Sequence, residues 1–188
     1  MRIILASGSP RRRELLAMAG FSFEVLPSDV DETADPKLPA DELVALLSER
    51  KALHLNDMLK DDSTVIIAAD TVVAIDGLIL GKPADEDDAF NKLSRLQGRP
   101  HMVFTGVTLL SRKRHETFVE SSKVFMRKLN EKEIRDYIAT GEPADKAGAY
   151  AIQGLGSMLI EKLEGDFYTI VGLPLCRLNL ALRDFMSL

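Results

Sequence analysis

The stretch TVIIAADTVVAIDGLIL, residues 64–80, decides the fold. Its first twelve residues are apolar, small or β-branched except for Asp70, which predicts a long strand buried on both faces. Asp76-Gly77 follows, a dipeptide suited to the left-handed conformations of a tight hairpin turn, and LIL returns along it. A strand of this kind needs a sheet around it and helices over it. The flanking sequence supplies both. RIILA (2–6) reads as a short apolar strand. SPRRRELLAMAG (9–20) changes to helical spacing, with Ser9 placed to cap, Pro10 in the first turn and Gly20 at the stop. FSFEVLP (21–27) alternates as a second strand does, and 28–38 is an acidic loop with prolines. From 39 to about 59, Leu43, Leu46, Leu47 and Leu53 recur at helical spacing.

Downstream of the hairpin, DEDDAFNKLSRLQG (85–98) is a helix with acidic residues in its first turn, complementing the helix dipole. HMVFTGVTLL (101–110) and ETFVESSKVFMRKL (116–129) predict two long paired strands around a solvated tip, RKRH (112–115). Asn130 caps a helix that Gly141 ends. A glycine-rich region then leads to strands SMLIEKL (157–163) and FYTIV (167–171) and a final helix from about Pro174. Tight hairpins beside strand–helix–strand units predict an α/β fold with a mixed β-sheet. No linker separates independent domains, so residues 1–188 form one domain, with room for two lobes flanking a cleft.

With 46% of 188 residues apolar, an ordinary core is within reach. No apolar run attains the roughly 18 residues that span a bilayer. At the N-terminus basic residues follow a short apolar stretch rather than precede it, so a secretory signal is not expected and the cytoplasm is. The single Cys176 excludes an intramolecular disulfide and a cysteine-rich zinc site, and its apolar helical setting predicts a core or near-core thiol. A net charge of −5 gives no general attraction for nucleic acid or an anionic membrane. Against that balance the run Arg11, Arg12, Arg13 stands out.

That run opens a helix directly after a strand and the turn SGS. Free N–H groups at a helix start favour an anion, and Ser7 and Ser9 add donors. Arginines oppose the helix dipole there, a cost that a bound polyphosphate would offset through bidentate contacts. The other reading is solvated surface charge. The motif is not a Walker A loop, since no GKS or GKT follows. Asp70 also admits two readings: a satisfied structural carboxylate, or a strand-end group that binds a divalent cation or takes a proton from water. Lys82, in the turn GKP, and Lys51, on the long helix beside Glu49 and Arg50, could each be solvated or could meet phosphate. Glu32, in the loop SDVDE, would suit a magnesium-type ion if it faced Asp70. In DKAGAYAIQGLGS (145–157) glycines permit close backbone approach to a ligand, and Gln153 carries an amide that donates and accepts together.

Taken in order, LASGSPRRRELL, DVDE, ERKA, AADTVV, GKP, TGV, GEPADKAGAYAIQGLGS and GDFYTIVGLPL resemble the Maf family of nucleotide pyrophosphatases over nearly the whole chain. The resemblance implies a long mixed sheet flanked by helices, two lobes around a cleft, similar to the inosine triphosphatase type. It implies metal-dependent hydrolysis of nucleoside triphosphates to the monophosphate and pyrophosphate, with magnesium, manganese or cobalt as the cation. By position, Ser7, Arg11 and Arg12 would cradle phosphate. Glu32, Lys51, Asp70 and Lys82 would be catalytic, with Asp70 either holding the metal together with Glu32 or accepting a proton, an alternative the resemblance leaves open. Arg11, Thr71 and Gln153 match positions linked to substrate choice. The IQG of AIQG resembles the branch acting on dTTP and UTP, extending to CTP and modified pyrimidines, in house-cleaning of nucleotide pools. The alternatives are the branch acting on 7-methyl-GTP, which carries Ser-Glu-Gly there, and a non-catalytic nucleotide- or nucleic-acid-binding regulator of cell division and septum formation. A homodimer is implied as well, with no membrane or nucleic-acid partner.

Overall fold

The computed structural model describes residues 2–61 and 63–186. The chain opens with β1 (Arg2–Leu5), α1 (Pro10–Met18), β2 (Glu24–Val25), α2 (Ala40–Leu59) and β3 (Thr64–Ile75). Strand β1 lies between β2 and β3 and runs parallel to both, with Leu5 opposite Val25 on one side and Ile67 on the other. The chain thus leaves β1 through α1 to one side and comes back through α2 to the other. Such a reversal of strand order opens a crevice at the carboxyl ends of the strands.

Strand β4 (Leu78–Leu80) folds back on β3 through Asp76 and Gly77, whose φ angles of 53° and 75° are the left-handed pair that the hairpin requires. Next come α3 (Glu86–Leu96), β5 (Pro100–Leu110), β6 (His115–Met126) and α4 (Glu131–Ile138), the last opened by an Asn130–Glu133 capping box. Three 3-10 turns follow, then β7 (Ile160–Glu164), α5 (Phe167–Val171) and α6 (Leu175–Met186). Among the described residues the seven strands form one mixed sheet, ordered β2-β1-β3-β5-β6-β7, with β4 paired to β3.

The backbone divides into two compact units. The first comprises Met1–Thr71, Thr105–Glu120 and Gly172–Leu188. In it Ile4, Ala6, Ile66 and Ala68 of the sheet pack against Ala52 and Leu55 of α2. Gly106 on β5 lets α2 settle onto the strand: a Cβ there would stand 2.3 Å from the Val44 carbonyl oxygen. Helix α6 is tied on by Arg177, which pairs with Glu120 at 2.6 Å and lies over the Phe118 ring. Arg114 donates to the Asp184 carbonyl at 2.9 Å and stacks on Phe185, so this residue of the expected solvated tip is an anchor instead. The second unit comprises Val72–Phe104 and Ser121–Val171. Its core joins Leu93 and Leu96 of α3 to Val124 and Met126 of β6 and to Ile134 and Tyr137 of α4.

The structure corrects several expectations. FYTIV is the helix α5, not a strand: the Asp166 carboxylate accepts from the Thr169 N–H and hydroxyl at 2.7 and 2.8 Å, a cap that overrides aromatic and β-branched preference. FSFEVLP pairs over two residues alone, at the sheet edge, and the SML of SMLIEKL is 3-10 turn. The buried stripe of α2 is Val44, Leu47, Ser48, Lys51, Ala52 and Leu55, which leaves Leu53 exposed. Cys176 is exposed, because α6 turns Leu178, Ala181, Leu182 and Phe185 inward.

Candidate active site

Strand β3 outruns β1. Their ladder ends with Leu5 opposite Ile67, and the Ala6 N–H closes onto the Ile67 carbonyl at 2.8 Å. Ser7 and Asp70 therefore lie just past the paired strands, where the crevice opens. Side chains alternate along a strand, so Asp70 shares the face of Ile66 and Ala68, the face that α2 covers. On α2, Lys51 falls one turn from both Leu47 and Leu55, on the buried stripe. The two periodicities meet at an ion pair: Lys51 Nζ donates to Asp70 Oδ1 at 2.6 Å, with 10% and 12% of the side chains exposed. A lysine on the buried stripe of a helix is stable only with such a partner.

Glu32 reaches the same ammonium from the loop, Oε1 at 2.7 Å from Nζ. Arg50 pins that loop by donating to the Thr33 carbonyl at 2.7 Å, and Asp31 Oδ1 accepts from the Thr33 N–H at 2.8 Å. Arg50, a bland neighbour of Lys51 by sequence, is what holds Glu32 over it.

Ser9 caps α1, accepting from the Arg12 N–H at 3.4 Å. The Arg12 guanidinium turns into the unit. Nε donates to the Gly172 carbonyl at 2.9 Å, Nη2 to Thr71 Oγ1 at 2.9 Å and Nη1 to Ser7 Oγ at 3.3 Å. Thr71 Oγ1, accepting from Arg12, also shares a hydrogen bond with Thr105 Oγ1 at 2.9 Å. All these partners are neutral. Burial lowers the Arg12 pKa from its ordinary value, opposed by the attraction of Asp70. A half-buried cation whose hydrogen-bond partners are neutral is suited to an incoming anion. Arg11 is half-buried in the same first turn, and Arg13 is exposed.

The first unit thus gathers Ser7, Arg12, Glu32, Lys51, Asp70 and Thr71, with Arg11 in the same helix turn. Lys82 and Gln153 belong to the second unit and are exposed. There the Gly148 N–H donates to the Gly81 carbonyl at 3.1 Å, joining the GKP turn to the DKAGAY segment. Sequence reasoning gave no role to Thr105, Gly172 or Arg50. The segments TGV and GLP carried the first two, yet nothing in their composition marks a backbone carbonyl as an acceptor for Arg12.

Among the described residues no three His, Cys, Asp or Glu side chains form a metal-binding group. Two carboxylates on one ammonium nevertheless fit a magnesium-type ion, which takes one or two carboxylates and completes its shell with water and phosphate oxygens. The fold and site define the class: an α/β protein with a half-buried arginine cluster and a lysine-held carboxylate at its strand-order reversal.

The family is narrower. The sequence model described as Maf-like protein matches residues 2–185, and the chain belongs to that family. A dTTP/UTP pyrophosphatase of Caldicellulosiruptor bescii is 47% identical over 186 residues, 97% of this chain and 94% of that protein. One of Carboxydothermus hydrogenoformans is 48% identical over 187 residues, covering 98% and 99%. Among solved structures, the Staphylococcus aureus Ham1 protein gives a TM-score of 0.46 at 16% identity, over 67% of this chain and 72% of that one. The family assignment stands on the sequence relatives.

Proposed function

We propose that this protein hydrolyses dTTP and UTP between the α- and β-phosphates, releasing the nucleoside monophosphate and pyrophosphate. The observation that carries the reading is the Lys51–Asp70 pair beside a guanidinium whose partners are all neutral. Arg12, with Arg11 and Ser7, binds the polyphosphate and neutralises the charge that builds on departing pyrophosphate. Lys51 occupies Asp70 Oδ1 and fixes the carboxylate, which leaves Oδ2 to take a proton from the attacking water. Lys82 adds a further cation for the leaving group. In the alternative role for Asp70, it and Glu32 would hold a divalent ion, magnesium, manganese or cobalt, which supplies Lewis-acid polarisation of the phosphate and a more acidic water. Gln153 reads the base: thymine and uracil present an N–H between carbonyl oxygens, and an amide answers both.

A homodimer and a cytoplasmic setting go with this reading. Among the described residues no helix is long and apolar enough to cross a membrane. The test is a panel of dTTP, UTP, CTP, dGTP and 7-methyl-GTP with each cation, products resolved by chromatography. Monophosphate and pyrophosphate from the pyrimidines support the reading. Orthophosphate with diphosphate, or a preference for 7-methyl-GTP, refutes it.

A further inference from the structure

In the second unit one carboxylate organises the whole segment around Gln153. Glu142 Oε2 accepts from Tyr137 Oη at 2.7 Å and from the Gly156 N–H at 2.7 Å, and Oε1 accepts from the Leu155 N–H at 2.9 Å. The Tyr137 oxygen accepts in turn from the Ala151 N–H at 3.1 Å. The backbone is therefore gripped on both sides of Gln153, at Ala151 and at Leu155–Gly156, by one side-chain pair. Gln153 sits exposed between these anchors.

The glycines confirm how closely the segment approaches. At Gly154, with φ at 73°, a Cβ would stand 2.2 Å from Glu142 Oε1. At Gly156 it would stand 2.2 Å from the Ala151 carbonyl oxygen and 2.6 Å from Tyr137 Oη. QGLG is thus a backbone wrapped on a carboxylate. Burial works against the charge on Glu142, yet its three donors hold its pKa below the ordinary glutamate value. Nothing in the proposed chemistry uses this group.

We propose that the Tyr137–Glu142 pair is the positioning element for pyrimidine recognition, setting the place of the Gln153 amide by clamping residues 151–156. This rests on Gln153 reading the base. Removing the charge at Glu142 turns one acceptor into a donor that faces the Leu155 or Gly156 N–H, so the loop loosens while the core of the unit stays packed.

The experiment compares wild type, Glu142→Gln, Glu142→Asp, Tyr137→Phe, Gln153→Ala and the Glu142→Gln/Gln153→Ala double variant. Hydrogen exchange of 151–156 is read first: Glu142→Gln should speed it about tenfold, with the α3 amides unchanged. Selectivity is read second: the dTTP-to-dGTP ratio of kcat/KM should fall about tenfold, mainly through KM. Glu142→Asp should restore most of that ratio, and the double variant should be no less selective than Gln153→Ala. Unchanged exchange, an equal loss on all substrates, or multiplying effects in the double variant would overturn the clamp. Tyr137→Phe, which removes both the acceptor for the Ala151 N–H and a donor to Glu142 Oε2, carries the same expectations if Glu142→Gln does not fold. If wild type forms no dTMP and pyrophosphate, the proposed function fails, and the exchange arm still decides the clamp.

Discussion

Replacing Lys51 with Met separates the charge of the ion pair from its packing, because the stem on the buried stripe is kept. At 2.6 Å the Nζ–Oδ1 attraction amounts to about 6 kcal/mol at an effective dielectric constant of about 20. Glu32 adds under about 1 kcal/mol, since 59% of its side chain is exposed and solvent screens it. Burying the ammonium costs several kcal/mol in return, and cutting one partner from a buried pair typically costs about 3–5 kcal/mol. Asp70 keeps some access to water, so the lower end, about 3 kcal/mol, is expected. With a urea slope near 2 kcal/mol/M, the midpoint should drop by about 1.5 M, read by circular dichroism. Lys51→Met/Asp70→Asn should recover at least half of that drop, because the stranded charge is gone. A single variant as stable as wild type would refute the reasoning. So would a double variant no better than the single one.

Three further outcomes follow from the same geometry. Pyrophosphate at about one hundred times its dissociation constant should stabilise the protein by about 2.7 kcal/mol and raise Tm by roughly 5–10 °C; Arg12→Leu should abolish that rise, and a full rise in the variant would show that the anion binds elsewhere. Gly106→Ala forces a Cβ against the Val44 carbonyl, so thermal denaturation should show a loss of at least about 1–3 kcal/mol, with kcat falling as α2 carries Lys51 outward; wild-type stability would contradict the close approach. Burial lowers the His101 imidazole pKa from 6.5 to about 4. Below pH 6.5 the unfolded chain binds a proton that the folded protein refuses until about pH 4, so this stability is full above 6.5 and is lost as pH falls toward 4. The amount is about 3 kcal/mol, and urea midpoints of His101→Gln, which keeps a partner for Tyr150, should show a flatter decline across that window.

The sheet was legible where one local signal dominated. The apolar run at 64–75, the Asp76-Gly77 turn and the caps at Ser9 and Asn130 each stand where their chemistry demands. Local preference misled at FYTIV, where the Asp166 cap outweighs five strand-forming residues. Of the candidate site, Asp70 announced itself as a charge inside a buried strand. Lys51 did not. Its burial follows from the phase of α2 against the sheet, which Leu53 misrepresented. Long-range hydrogen bonds were invisible for a plainer reason: Arg12 to Gly172 spans 160 residues, and no pattern in a sequence pairs a side chain with so distant a carbonyl.

The most direct test of the central claim is turnover of dTTP in water enriched in oxygen-18, with products weighed by mass spectrometry for wild type and Asp70→Asn. Attack on the α-phosphorus by a water that Asp70 deprotonates predicts the label in dTMP, unlabelled pyrophosphate, and a rate in the variant lower by about 10²–10⁴-fold. Label in pyrophosphate or orthophosphate, or an Asp70→Asn enzyme as fast as wild type, would contradict it.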